Sequence, residues 1–255
     1  MAGLGRIWVV AGSAAGWPDG WRVHHVEQTG STNADLLAAY EAGHAGDRFV
    51  LAADHQTDGR GRLDRRWDAP PGTGLLVSML FETVPEVPVH VTWRVGLAAV
   101  ATVRTLSTGG PGPSPRVGLK WPNDVLLDDR KLAGVLARRA ANGAVVVGIG
   151  LNVSWAPPSA ARLGGDIDPS AVLWQLLTDF DALPAEIDDL YRRELLTLGR
   201  EVKIELPTDR VVSGTAVDVD PTGSLVVRDV HGRVHHFDSG DVVHAHTANP
   251  TQPNS

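Results

Sequence analysis

Residues 201–246 leave the fewest alternatives for folding. EVKIELPTDRVVSGTAVDVDPTGSLVVRDVHGRVHHFDSGDVVHAH alternates apolar and polar residues in short runs, with DPTG and DVHG as turn tetrapeptides between them. A period of two buries one face of a strand and wets the other. Five such strands in about 45 residues predict a small β-barrel of SH3-like type.

Upstream the texture is different. WRVHHVEQ (21–28) reads as a strand. In TGSTNADLLAAYEAG, Ser31, Thr32 or Asn33 can cap a helix from about Asn33 to Glu41, which Gly43 ends. DRFVLAADHQ (47–56), LLVSMLFE (75–82) and AVVVGIGLNVSW (144–155) hold the apolar runs of buried strands, and VTWRVGLAAVATVRTL (91–106) has helical spacing. STGGPGPSP (107–115) is a loop by composition. RVGLKWPNDVLLDDRKLAGVLARRA (116–140) reads strand, turn, strand, turn, strand, and 170–198 holds two helical patterns, AVLWQLLTDF and PAEIDDLYRRELLTL. The expected organisation is a poorly ordered segment over 1–20, one large unit over 21–199, the β-unit over 200–247 and a disordered tail over 248–255.

Composition excludes several chemistries. The 255-residue chain has no cysteine, so disulfides, thiolate zinc sites and a cysteine nucleophile are ruled out. That fits a cytoplasmic protein. MAGLGRIWVVAGSAAGW is too weak an apolar stretch for a signal peptide, and no run approaches the ~18 apolar residues of a membrane span. The formal net charge of −7 argues against general DNA or RNA binding. The ten histidines form no HExxH-like pattern, and His24–His25 and His235–His236 are adjacent pairs that a strand would turn to opposite faces.

Against this acidic background DGRGRLDRRW (58–67) gathers four arginines around two glycines. Guanidinium forks bind carboxylate or phosphate bidentately, glycine lets backbone approach a ligand closely, and Trp67 offers a flat face to an aromatic ring. A solvated surface loop would have the same composition. LKWPNDVLLDDRKLAGVL (119–136) places Lys120, Asn123 and Asp124 at a Pro-containing turn and Lys131 between apolar strands, where a cation is costly unless it faces an anion. Gly134 fits close backbone approach, and a hairpin with charged tips fits the same residues. GSTN (30–33) supplies hydroxyls and N–H groups at a helix start, or simply a cap. In GIGLNV (148–153), Gly148 and Gly150 break strand packing where something else must approach; the third glycine of a dinucleotide fingerprint is missing.

The order GSTN, HQTDGRGRLDRRW, LLVSML, KWPNDVLLDDRKLAGVL, GIGLNV and a small C-terminal β-barrel closely resembles biotin–protein ligase over roughly residues 21–246. The fold this implies is α+β: a mixed β-sheet with helices packed on one face, as in class II synthetase-like biotin–lipoate ligase catalytic domains, plus the SH3-like barrel. The implied reaction has two steps. Biotin's carboxylate attacks the α-phosphate of ATP, giving biotinyl-AMP and pyrophosphate. A lysine of the biotin carboxyl carrier domain of an acyl-CoA carboxylase then attacks the mixed anhydride and AMP leaves. Mg²⁺ accompanies the nucleotide and is held mainly by its phosphates.

By the same resemblance, Ser31, Thr32, Asn33, Gln56 and Gly134 would hold biotin, with Gly59, Arg60, Gly61 and Arg62 lining the loop over biotin and its acyl phosphate. Lys131 would bridge carboxylate and α-phosphate, and Lys120 would meet nucleotide phosphate. Asn123 and Asn152 would fix nucleotide and metal, Trp67 would pack against adenine, and Asp124 would orient or deprotonate the acceptor lysine. The meeting of two anions is what needs these cations. The loop is expected to be disordered before ligand binds and then to close and exclude water.

Two departures stand out. Leu63 and Asp64 replace an inner Arg-Gly of the family loop, lowering its charge. About 20 glycine-rich residues precede the first expected strand, too few for the helix-turn-helix that makes some members repressors, so a ligase without DNA binding is expected. A monomer or a weak, ligand-promoted homodimer is expected. A lipoate- or octanoate-activating ligase of the same fold is the near alternative, and a nucleic-acid-binding regulator the distant one.

Overall fold

Residue parity in two central strands organises the molecule. The computed structural model describes residues 16–107, 114–205, 211–238 and 241–244. β3 (Gly74–Phe81) and β7 (Val145–Asn152) pair antiparallel at the centre of a seven-stranded sheet of order β1-β2-β3-β7-β6-β5-β4. Here β1 is Arg22–Thr29, β2 Phe49–Gln56, β4 Val117–Lys120, β5 Asp124–Leu127 and β6 Arg130–Arg139. β1 and β2 are parallel and every other neighbouring pair is antiparallel.

On β7, Val145, Val147, Ile149 and Leu151 join one core, whereas Val146 joins a second core on the opposite face. On β3, Leu75, Val77, Met79 and Phe81 join the first and Leu80 the second. The first face is covered by α2 (Val89–Leu106) and α3 (Pro169–Ala182). Asp168 caps α3, accepting from Ser170 N–H at 2.8 Å. Helices on one face therefore describes these two. α1 (Thr32–Glu41) covers the opposite face, with Leu36 and Tyr40 against Leu51, Leu80 and Val146. Past Val146 that face of β7 continues as Gly148 and Gly150, so the ground beyond α1 stays open.

The second helical pattern, 184–198, yields only α4 (Asp188–Glu194). Its remainder is drawn out beside β4: Leu195 bridges Leu119, Leu196 N–H donates to Leu119 O at 2.8 Å, and Thr197 Oγ1 accepts from Trp121 N–H at 3.0 Å. Bonds to the sheet edge thus replace the last helical turns.

The C-terminal strands form a five-stranded antiparallel sheet of order β11-β10-β9-β8-β12. They are β8 (Glu201–Glu205), β9 (Val211–Val219), β10 (Leu225–Arg228), β11 (Val234–Phe237) and β12 (Asp241–His244). Its inward residues, among them Ile204, Ala216, Val219 and Val227, continue the core under α2. The two sheets are also bolted by Trp121, 2% exposed, whose indole N–H donates to Gly223 O at 2.9 Å, and Arg192 ties α4 to the C-terminal sheet by bonding Asp218 and Val219 O.

Of the segments expected to lack order, 1–15 and 248–255 lie outside the described residues, as does most of the 107–115 loop. Gly16, by contrast, accepts from the Trp174 indole at 3.2 Å. Among the described residues no helix is long and apolar enough to cross a membrane.

Candidate active site

A cavity of about 490 Å³ opens over Gly148 and Gly150, between the start of α1, the arginine loop and the β4–β5 turn. It is lined by every site residue named from the sequence except Gly59.

At one end is the start of α1. Ser31 stands at the N-cap without a side-chain capping bond. The polar groups are spent on the cavity instead. Thr32 N–H and hydroxyl both donate to Gln56 Oε1, at 2.8 and 3.0 Å, and Asn33 Nδ2 donates to Leu136 O at 2.8 Å. Asn33 Oδ1 is left buried with no hydrogen-bond partner. A Cβ on Gly148 would sit 2.8 Å from Asn33 Nδ2, so this glycine makes room for the asparagine.

The arginine loop is a short closed turn. Arg60 and Arg66 pair, Trp67 N–H reaches Gly59 O at 2.9 Å, and Arg62–Asp64 form one 3₁₀ turn at the tip. Gly61 is extended, which turns Arg60 and Arg62 to the same side, into the cavity. Gly59 lies behind the loop. A Cβ there would fall 2.4 Å from Trp67 O, so it serves the close approach of the two loop arms rather than the lining. Leu63, one of the departures, adopts a left-handed φ of 53° with 53% of its surface exposed. Trp67 lies flat over β7 and β6: a Cβ on Gly150 would meet its ring at 2.5 Å, one on Gly134 at 3.4 Å. The Lys131 ammonium stands 5.6 Å from the ring centroid. What approaches the strand glycines is thus Asn33 at one and Trp67 at the other.

The cationic end is built by a register shift. Residues 131 and 134 of a regular strand face opposite sides. Between Val125 and Leu126 the β5–β6 pairing slips, and this puts Lys131 and Gly134 on the cavity side together. Lys131 Nζ then meets Asp124 Oδ1 at 2.7 Å. Asp124 and Lys120 are paired across the WPND turn, which Asn123 ties to β6 by donating to Val135 O at 2.8 Å. The turn itself is held by buried Trp121, so the C-terminal sheet fixes the site indirectly. Burial pushes the Lys120 ammonium below the ordinary lysine range, partly offset by Asp124. Burial likewise lowers Arg62.

Sequence reasoning missed several lining groups. The 155–163 segment runs over the site as a strap: Ala161 N–H donates to Lys131 O at 2.8 Å, and Asn152 Nδ2 to Ala161 O at 2.9 Å. Asn152 is therefore a strap anchor, with Oδ1 as the end that can still accept. Ser78 sits in the floor, and its signal was a lone hydroxyl inside an apolar strand, a costly burial without a partner. Arg65, Glu205 and Val242 also reach the cavity. The last two come from the C-terminal sheet, and no local pattern announces that approach.

The biotin/lipoate A/B protein ligase family model matches residues 26–154, and the biotin protein ligase C-terminal domain model matches 197–245. The chain belongs to the biotin/lipoate A/B protein ligase family.

Within that family it is similar to the biotin–[acetyl-CoA-carboxylase] ligase of Mycobacterium tuberculosis, 39% identical over 88% of this chain and 90% of that protein. The ligase of the same name from Paracoccus denitrificans is 30% identical over 81% and 94%. The bifunctional ligase/repressor of Bacillus subtilis is 34% identical over 52% of this chain but 44% of its own length. The biotin protein ligase of Aquifex aeolicus, solved with biotin and ATP, superposes with a TM-score of 0.73 at 24% identity, covering 88% of this chain and 99% of that one; at this identity the likeness concerns the fold.

Proposed function

We propose that this family member activates biotin with ATP as biotinyl-AMP and transfers it to a lysine of a biotin carboxyl carrier domain of an acyl-CoA carboxylase. The observation that carries the reading is one cavity with two unlike ends: a hydrogen-bonding floor at Asn33 and Gln56, and a cationic end at Arg60, Arg62, Lys120 and Lys131. The two relatives matched over nearly their whole length carry the biotin–[acetyl-CoA-carboxylase] ligase name.

In this reading biotin's ring lies on the floor and its carboxylate reaches Lys131. That lysine screens the repulsion between carboxylate and α-phosphate as the carboxylate oxygen approaches the α-phosphorus, and Arg60 and Arg62 offset the charge that builds on the phosphate as pyrophosphate leaves. Lys120 faces the nucleotide phosphates and Trp67 the adenine. Asp124, held by Lys131 at 2.7 Å, becomes available when Lys131 turns to the adenylate, and then orients the acceptor amine or takes its proton.

Among the described residues no three His, Asp or Glu side chains form a metal cage. We infer that Mg²⁺ enters with the nucleotide, since this ion keeps waters and takes few protein ligands. Asn123 and Asn152 are the neutral oxygens closest in kind to that task. The metal would supply charge neutralisation on the phosphates.

We infer a catalytic unit over 21–199 and a C-terminal unit over 200–247, in a cytoplasmic protein whose net charge of −7 does not favour general nucleic-acid binding. A monomer or a weak, ligand-promoted homodimer belongs to the same reading. Pyrophosphate release with biotin, but not with lipoate or octanoate, tests the activity; release with lipoate instead would move the substrate to the near alternative.

A further inference from the structure

One buried polar group has no role in the mechanism above. Ser78 is fully buried (0% exposed) in the floor, and its Oγ lies 2.9 Å from Thr32 Oγ1. Proton counting gives this contact a direction. A main-chain N–H can only donate, so the Gln56 atom that meets Thr32 N at 2.8 Å is the carbonyl oxygen. The same oxygen accepts from the Thr32 hydroxyl at 3.0 Å, which spends that hydroxyl's single proton. The Ser78–Thr32 bond must then use the Ser78 proton. The chain runs from Ser78 to Thr32 to Gln56 in one sense only.

Two consequences follow for the cavity. The Gln56 amide is committed through its oxygen, so its NH₂ is the end left to present. Ser78, committed as a donor, keeps its lone pairs. Beside it, Asn33 is committed through its Nδ2, and its buried Oδ1 has no hydrogen-bond partner. Gly148 pairs with Ser78 across the β3–β7 ladder, and a Cβ there would lie 3.1 Å from Ser78 Oγ and 2.8 Å from Asn33 Nδ2. The floor is thus kept clear of side chains where these groups meet.

We propose that Ser78 is a positioning residue that holds the Thr32 hydroxyl in the sense the Thr32 N–H imposes on Gln56, completing a floor of one donor beside acceptors that selects a ring bearing one carbonyl and two N–H groups. This deepens, and rests on, the reading of biotin as substrate. An acid whose ring lacks N–H groups would leave Asn33 Oδ1 buried and unpaired, which is the condition under which a polar site rejects an analogue strongly.

The test is a double-mutant cycle in the full chain, read as KM and kcat for biotin in pyrophosphate release, with ATP KM alongside. Ser78→Ala should raise biotin KM about tenfold, hold kcat within about twofold and leave ATP KM unchanged, because uniform binding is what it removes. Acting through Thr32, it should add less than about twofold to the KM of Thr32→Val. Ser78→Cys keeps a weak donor of similar shape and should fall between Ser78→Ala and wild type. It also serves in the cycle should Ser78→Ala not fold. Effects of Ser78 and Thr32 that multiply, or a fall in kcat at constant KM, would overturn the role assigned to Ser78 while biotin stands as substrate. A wild-type chain inert to biotin would overturn both.

Discussion

Lys131 Nζ and Asp124 Oδ1 meet at 2.7 Å across β6 and β5, at the end of the cavity where Arg60, Arg62 and Lys120 also gather. A carboxylate here is unfavourable for binding a second carboxylate and a triphosphate, unless it has a later task. In the proposed reaction the pair separates the two half-reactions. Lys131→Ala should lower the rate of adenylation by at least about tenfold, roughly 1.4 kcal/mol of barrier, with the fold intact. Asp124→Asn should spare pyrophosphate release and slow transfer to the carrier lysine. Single-turnover assays of each step check both.

The glycines under Trp67 are unequal. At Gly150 a Cβ would lie 2.5 Å from the indole, at Gly134 3.4 Å from it and 3.3 Å from the flexible Lys131 ammonium. Gly150→Ala should displace the indole, weakening ATP binding about tenfold or more, whereas Gly134→Ala should cost less than about threefold. Tryptophan fluorescence and calorimetric titration with ATP read the difference.

Arg60 and Arg62 reach the cavity from a loop held at its base by Gly59. Arg60→Gly or Arg62→Gly should let biotinyl-AMP escape. An intermediate lifetime equal to wild type would contradict retention by the loop. Amides of 58–67 should gain protection from exchange when biotin and ATP bind.

Two groups set pH dependences of opposite kind. Burial lowers Lys120, so its charge is lost at a pH below the ordinary lysine value of about 10.4. ATP affinity should decline on the alkaline side, and Lys120→Arg should move that decline upward. In the C-terminal sheet, burial would raise the Asp220 carboxyl, but hydrogen bonds from Thr222, His236 and the Ser224 and Thr222 N–H groups outweigh it and draw it to about 2. A depressed carboxyl stabilises the fold above the unfolded value of about 3.9, and that contribution is lost as pH falls from there through about 2. Asp220→Asn should flatten the acid limb of a melting curve between those values.

Much of this was legible in residue patterns. Alternation gave the C-terminal strands, and β4 to β6 appeared as the strand-turn sequence around WPND and DDRK. Blocks carrying chemistry could be read because glycine, arginine and paired charges have local meaning. What stayed hidden depends on distant partners. The helix expected over 184–198 stops at Glu194 because β4 offers Leu195 and Leu196 better bonds. α1 lies opposite the other helices because of β3 and β7 parity, which only a register reveals. Ser78 looked like one more strand residue, and Glu205 and Val242 enter from the second sheet through a contact no spacing encodes.

Pyrophosphate release with ATP and Mg²⁺, compared across biotin, lipoate, octanoate and no acid, tests the central claim most directly and needs no carrier protein. A burst with biotin alone is the expected result. A burst with lipoate or octanoate in its place, or none with any acid, would contradict the account.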